Sequence, residues 1–287
     1  MALKSIGKYD KILLELIGVD FMSKLISVIM GIYNCEEYLE DALNCIVNQT
    51  YTNWEVIMCD DGSNDNTVSI AQKFVDNFPG KFRLLKNEQN MGLNYTLNKC
   101  LFEAKGEYIA RMDGDDLCSP ERFQKEVEIL DNNKEFAIVS SNMKFFDENG
   151  VWGETHANPT PTKYSFIKST PFIHAPCMVR KDAYLAVDGY TVDKKLLRVE
   201  DYHLWTKMYA KGYKGYNIQE CLYQMRDDRN AQGRRSFKSR LNETHAHNIA
   251  TKMLKLPLYT YITNLTPIAK GLIPGFVYKA IHRSTYK

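Results

Sequence analysis

Short apolar runs alternate with longer segments of helical period in the first half of the chain. Ile26–Met30 is apolar and β-branched until Gly31 interrupts it, which predicts a buried strand. Asn34 with Glu37 three residues later predicts a capping box and a helix to about Asn48, its apolar face formed by Leu39, Leu43, Ile46 and Val47. Strand patterns follow at Trp54–Cys59, Phe82–Leu85 and Glu107–Met112, with helical patterns at 65–78 and Leu93–Ala104 between them. Strands separated by helices of about twelve residues imply βαβ units and a parallel sheet.

After Pro120 the alternation loosens. A helix is expected at Glu121–Leu130 and another at Val199–Lys211. Strand signals are short and mixed: Ala137–Ser140, Met143–Phe146, Phe172–Val179, Gly215–Ile218 and Leu222–Met225. From Arg235 to Met253 the chain again has helical character.

Overall charge is nearly balanced, with 37 Lys+Arg against 35 Asp+Glu, but its distribution is not. Arg234–Lys287 holds ten basic residues and one acidic residue, a net of +9, which leaves −7 for residues 1–233. Apolar content of 44% and charged content of 25% exclude a disordered chain. Seven cysteines with no CxxC spacing argue against a disulfide framework or structural zinc and fit a reducing cytosol. Glu15 interrupts the apolar stretch near the N-terminus, so no signal peptide is read there. Residues 1–21 are either an appended helix or a start-site artefact.

In an open parallel sheet, ligands bind beyond the carboxyl ends of the strands. The distinctive polar clusters fall there: Gly31–Asn34 after strand one, Asp60-Asp61 after strand two, Asp113–Asp116 after strand four. Read singly, an Asp-Asp is a solvated turn and a D-x-D is common by chance. Five carboxylates at one edge instead call for a cation, and Mg²⁺ or Mn²⁺, which shares its oxygen ligands with phosphates, is the natural choice. Neither a GxxxxGK[ST] loop nor a GxGxxG after strand one is present, which argues against a P-loop NTPase and a dinucleotide-binding site.

Four segments together carry a family resemblance: Ile26–Asn34, Trp54–Ser63, Asp113–Asp116 and Val199–Trp205. In order and spacing they resemble the family 2 inverting glycosyltransferases of GT-A fold. Thr170–Arg180, Gly215–Arg235 and the stretch from Leu254 resemble the bacterial exopolysaccharide, capsule and O-antigen subset. The resemblance implies an α/β fold with a mostly parallel central sheet flanked by helices. It implies an N-terminal extension at 1–24, a GT-A domain at 25–233 and a basic helical C-terminal region at 234–287. It also implies transfer of a sugar from a UDP- or dTDP-sugar to a growing or lipid-linked polysaccharide acceptor. The alternative is a catalytically weak scaffold that binds a partner, against which Asp61, Asp113, Asp115 and Asp201 are all retained.

Site roles come from the same resemblance. Tyr33 borders the nucleobase, and Asp61 accepts its imide N–H while Asp60 orients the turn. Asp113 contacts the ribose side or a metal water, and Asp115 binds the divalent ion. Asp116 either supports the metal site or caps the helix near Pro120, the cap being favoured. Asp201 is the base that deprotonates the acceptor hydroxyl during in-line attack, with Glu200 shaping its environment. His174 and Arg180 belong to the acceptor site, the active-site floor or the scaffold. Many relatives carry a further metal-binding His after the last strand. This chain has none there, and Arg226, Arg229, Arg234 and Arg235 are candidates to hold the diphosphate instead.

The tail has two readings. Leu256–Ala269 is uncharged but too short and too proline-broken to span a bilayer, which takes about 20 residues. It is either a packed helical subdomain or an interfacial segment on the anionic cytoplasmic leaflet, the latter placing the protein in the cytoplasm, peripheral to the plasma membrane. His245 and His247 read as surface residues, and no nucleic-acid motif accompanies the basic tail.

Overall fold

The computed structural model of the protein describes residues 23–227 and 237–271. The proposed 1–21 appendage, Arg229, Arg234, Arg235 and the tail beyond Gly271 lie outside the described residues.

The N-terminal half folds as its pattern predicts. Strands β1 (Ile26–Ile32), β2 (Trp54–Asp60), β3 (Phe82–Lys86) and β4 (Tyr108–Arg111) are parallel and ordered β3-β2-β1-β4. Helices α1 (Leu39–Val47), α2 (Thr67–Asn77) and α3 (Leu93–Glu103) connect them. Strand β2 is buried along its whole length, as expected of a strand covered on both faces. The expected Asn34–Glu37 capping box does not form. Helix α1 starts at Leu39, and Asn34 sits at φ 46° with its side chain accepting from the Asn64 N–H.

In the second half, sheet pairing overrides local pattern. β5 (Leu117–Cys118) and α4 (Arg122–Asn132) precede a long strand β6 (Phe136–Asp147), which joins two predicted short strands. Ser140, Ser141 and Asn142 interrupt the apolar run, yet all three are buried in β6 with their side chains hydrogen-bonded. β7 (Gly150–Glu154) pairs back onto β6. β8 is only Met178–Arg180, in place of the expected Phe172–Val179, and α5 (Lys181–Ala186) follows it. After α6 (Glu200–Ala210), β9 (Lys214–Arg226) likewise fuses two predicted strands. The sheet continues β4-β8-β6-β9-β5, with β8 antiparallel to β4 and β9 parallel to β6.

Two cores flank the sheet. One is closed by α1, α2 and α4. The other is closed by α3, α5 and α6 together with α7 (Phe237–Met253), which contributes Ala246 and Ala250. His247 on α7 is partly buried, its ring 4.7 Å from that of Tyr202, so it is not the surface residue expected, whereas His245 is exposed. Short helices α8 (Thr260–Thr263) and α9 (Thr266–Gly271) end the described chain.

Candidate functional site

The carboxyl ends of β1, β2 and β4 form one edge. Asp60 accepts from the N–H groups of Gly62 and Ser63 and shapes the turn after β2, where Gly62 takes φ 83°. Asn34 donates its N–H to Ser63 Oγ, which ties the loop after β1 to this turn. Tyr33 stands on the same edge, 47% exposed. Asp61 is buried. Its Oδ1 accepts from Asn87 Nδ2 and Met91 N, both at 2.8 Å, and its Oδ2 from Gly92 N at 2.9 Å. A carboxylate has about four acceptor positions, so the loop 87–92 takes most of them and about one remains for a ligand.

The loop after β4 is braced from below and from the side. Arg111, buried at the end of β4, donates from Nη2 to Asp113 Oδ1 at 2.6 Å, and its Nε has no partner among the described residues. Arg122 is fully buried; it donates to the Arg111 carbonyl at 2.8 Å and pairs with Glu126 at 3.1 Å. From β9, the Tyr223 hydroxyl accepts the Asp113 N–H, and the Arg226 N–H donates to Asp116 Oδ1 at 2.8 Å. Asp116 therefore does not cap the following helix: α4 begins at Arg122, and the carboxylate turns inward to β9. Burial, and then the charges of Asp113 and Asp115, push its carboxyl well above the usual range. The Arg226 Nε donates to the Asp115 carbonyl, and its guanidinium lies 3.8 Å from the Tyr38 ring centre and 4.6 Å from that of Phe146.

No group of three or more His, Cys, Asp or Glu side chains with metal-binding geometry occurs among the described residues. The donor set still suits a hard cation. Asp113 and Asp115 supply carboxylate oxygens at the sheet edge, and Mg²⁺ or Mn²⁺ commonly takes only one or two protein carboxylates and completes its shell with water and phosphate. Beside them the Asp116 carboxyl is raised first by burial and then by the charges of Asp113 and Asp115.

Glu200 and Asp201 open α6, where the helix dipole favours acidic side chains. Both are enclosed enough that burial raises them. Glu200 is pushed up to about 7 by burial and by the Asp201 charge, and Asp201 is also raised by burial. The positive charge of Arg111 opposes the shift in both. One buried guanidinium therefore acts on the D-x-D loop and on the Glu200–Asp201 pair together.

The remaining predicted residues separate. His174 is buried, 2.7 Å from the Tyr190 hydroxyl and edge-on to Trp205, and burial beside Arg111 holds it well below its usual pKa. It is a neutral, buried group in the core. Arg180 is not at the site. Because β8 runs antiparallel to β4, Arg180 is paired with Tyr108 at the opposite end of β4 from Asp113, and its guanidinium donates to the carbonyls of Phe136 and Leu130. Arg111, Arg122 and Tyr223 carry the loop and were not singled out from the sequence. Arg111 had a signal, a charge inside the apolar strand Tyr108–Met112. Tyr223 had none, because its role needs β9 beside the loop.

The family profile described as Glycosyl transferase family 2 matches residues 27–187. The putative glycosyltransferase EpsE of Bacillus subtilis (strain 168) is 40% identical over 90% of this chain and 93% of its own. The UDP-Glc:alpha-D-GlcNAc-diphosphoundecaprenol beta-1,3-glucosyltransferase WfgD of Escherichia coli is 30% identical over 63% of this chain and 68% of its own. Among solved structures, the mannosyltransferase PcManGT from Pyrobaculum calidifontis, in complex with GDP-Man and Mn2+, superposes with a TM-score of 0.62. It is 18% identical, over 91% of this chain and 79% of its own, and the likeness is one of fold.

Proposed function

The chain belongs to glycosyl transferase family 2 and is a transferase, and on that premise we propose that it moves a sugar, with inversion, from a UDP- or dTDP-sugar to a lipid-linked or growing polysaccharide acceptor. The observation that carries this reading is the Arg111 guanidinium, which is bonded to Asp113 and acts electrostatically on Glu200 and Asp201. It supports one reaction centre, with a diphosphate end and a proton-accepting end.

At the donor end, Tyr33 borders the nucleobase, and the remaining acceptor position of Asp61 takes its imide N–H. Asp113 and Asp115 would hold a divalent cation. When bound, such an ion offsets the charge that gathers on the departing nucleotide diphosphate. Mn²⁺ in the solved complex of PcManGT supports that choice. Arg226, stacked between Tyr38 and Phe146 and fixed to the Asp115 carbonyl, presents a positive charge to the same phosphates.

At the acceptor end, Asp201 removes the proton of the attacking hydroxyl. Burial raises Asp201, and Glu200 beside it is raised by burial and by the Asp201 charge, so both hold a proton more readily than exposed carboxylates, which suits a base working near neutral pH. Inversion needs one base and no second nucleophile. The acceptor named for WfgD, a diphosphoundecaprenol-linked sugar, supports a lipid-linked acceptor here.

No helix among the described residues is long and apolar enough to cross a membrane. The segment from Leu258 to Leu265 nevertheless exposes Leu258 (81%) and Ile262 (74%), with Lys252 and Lys255 just before it. We read it as a peripheral contact with an anionic lipid surface, apolar side chains entering and lysines resting on headgroups. The proposed function is tested by thermal shift against a panel of nucleotide sugars with and without Mn²⁺. A rise in Tm confined to UDP- or dTDP-sugars and enhanced by Mn²⁺ is expected, since a bound ligand stabilises by mass action. A flat panel refutes the reading.

A further inference from the structure

A pocket of about 240 Å³ lies on the α6–α7 side of the molecule, between the 3₁₀ turn Lys163–Ile167 and helices α7–α9. Lys168, Lys270, His247 and Glu243 line it, with Thr263 and Thr266. Glu243 is joined to Arg240 at 3.1 Å, whereas neither lysine is in an ion pair among the described residues. The two threonines donate their hydroxyl hydrogens to the carbonyls of Thr260 and Thr263. The donors left for a ligand are therefore the two ammonium groups and the imidazole. His247 is held below its usual pKa by burial, so it is neutral at neutral pH and offers one N–H. A concave site with two ammonium groups, its one carboxylate among the described residues tied to Arg240, suits a phosphate.

Its position says which phosphate. On one side, His247 packs against Tyr202, the neighbour of Asp201, and Glu243 is among the charges acting on Asp201. On the other, Thr263 and Thr266 belong to the segment that exposes Ile262 and Leu265. The pocket thus stands between the base and the apolar turn. We propose that it is the diphosphate subsite for a lipid-linked acceptor. The lipid leaves along the apolar turn, Lys168 and Lys270 hold the phosphates, and the sugar extends toward Asp201. The proposal rests on the reading of Asp201 as the base.

The test is the Lys168→Ala/Lys270→Ala variant of the full chain. It is assayed with a polyprenyl-diphosphate-linked sugar and with the same sugar on a neutral alkyl chain. The KM for the diphosphate-linked acceptor is expected to rise about tenfold or more, the scale of a lost charge-assisted contact, with the neutral acceptor and the donor within about twofold. An equal change for both acceptors, or none, overturns the subsite. Cosedimentation with phosphatidylglycerol vesicles separates a lipid headgroup from the acceptor. If the variant loses vesicle binding in step with transfer, the lysines hold headgroups and the subsite is overturned. A third measurement needs no turnover. In EDTA, inorganic pyrophosphate is expected to shift the His247 ring signals, assigned with His247→Gln, in the parent and not in the double variant. Unshifted parent signals overturn the subsite even where transfer fails. A shift in a protein that transfers to neither acceptor supports the subsite and counts against Asp201 as base.

Discussion

Asp61→Asn separates two jobs that one carboxylate can perform. In the free protein, Asp61 is buried and accepts three N–H groups, from Asn87, Met91 and Gly92, at 2.8–2.9 Å. Asparagine keeps one oxygen, able to accept two of them, and turns an N–H₂ toward the third. Hydrogen bonds to a charged acceptor contribute about 1.5–3 kcal/mol, against about 0.5–1.5 for neutral pairs. Two bonds weakened by about 1 kcal/mol each and one lost outright come to roughly 3.5–5 kcal/mol. At about 2–4 °C per kcal/mol for a chain of this size, Tm should fall by roughly 7–20 °C. The assay is a calorimetric scan without nucleotide or metal, with amide hydrogen exchange at Met91 and Gly92, both of which should exchange faster. Titration with UDP then reads the second job. If the ligand-free Tm moves by less than about 1 °C and both amides stay protected, the loop does not depend on this carboxylate and the accounting above is wrong. A loss confined to UDP affinity would leave nucleobase reading as its only role.

Four further outcomes are expected. Asp115→Ala should abolish Mn²⁺-dependent UDP binding in calorimetry, and unchanged binding would remove it from the metal site. Asp201→Asn should keep donor binding within about twofold but lower transfer by at least the roughly 10²–10⁴ typical of a lost general base; substantial retained transfer refutes the assignment. Glu200 has a native pKa of about 7, above the usual carboxyl value, so the native state binds the extra proton and this group's contribution to stability falls as pH rises from about 4.5 through 7. Glu200→Gln should therefore gain in Tm, relative to the parent, more at pH 8 than at pH 5, and a pH-independent difference contradicts this. Leu258→Ser/Ile262→Ser, at exposed positions, should weaken binding to anionic vesicles with little change in Tm; unchanged vesicle binding argues for a packed subdomain without lipid contact.

Where pattern and structure agree, the information is local. The short apolar runs and period-3.6 signals through residue 104 place β1 to β3 and α1 to α3 within a few residues, and strand-end turns put Tyr33, Asp60, Asp61 and Asp113 on one edge. Where they part, a polar residue was buried by a distant partner. Ser140–Asn142 broke the pattern of β6 because their hydrogen bonds go to residues that local reading does not reach, such as Ile173 and Gln219. The expected Asn34 cap failed because its side chain found Asn64.

The parallel βαβ half and the acidic edge were legible along the chain because hydrophobic period and turn chemistry act over a few residues, and four short motifs carried the family resemblance. What stands around those carboxylates came from pairing between distant segments. The antiparallel entry of β8 carried Arg180 to the far end of the sheet, and the Tyr190 hydroxyl holds His174 in the core. β9 brought Tyr223 and Arg226 to a loop 110 residues earlier in the chain. Burial beneath both acidic groups made Arg111 their common counter-charge. Each of these is a strand-pairing choice made between segments far apart in sequence, and neither composition nor periodicity encodes it.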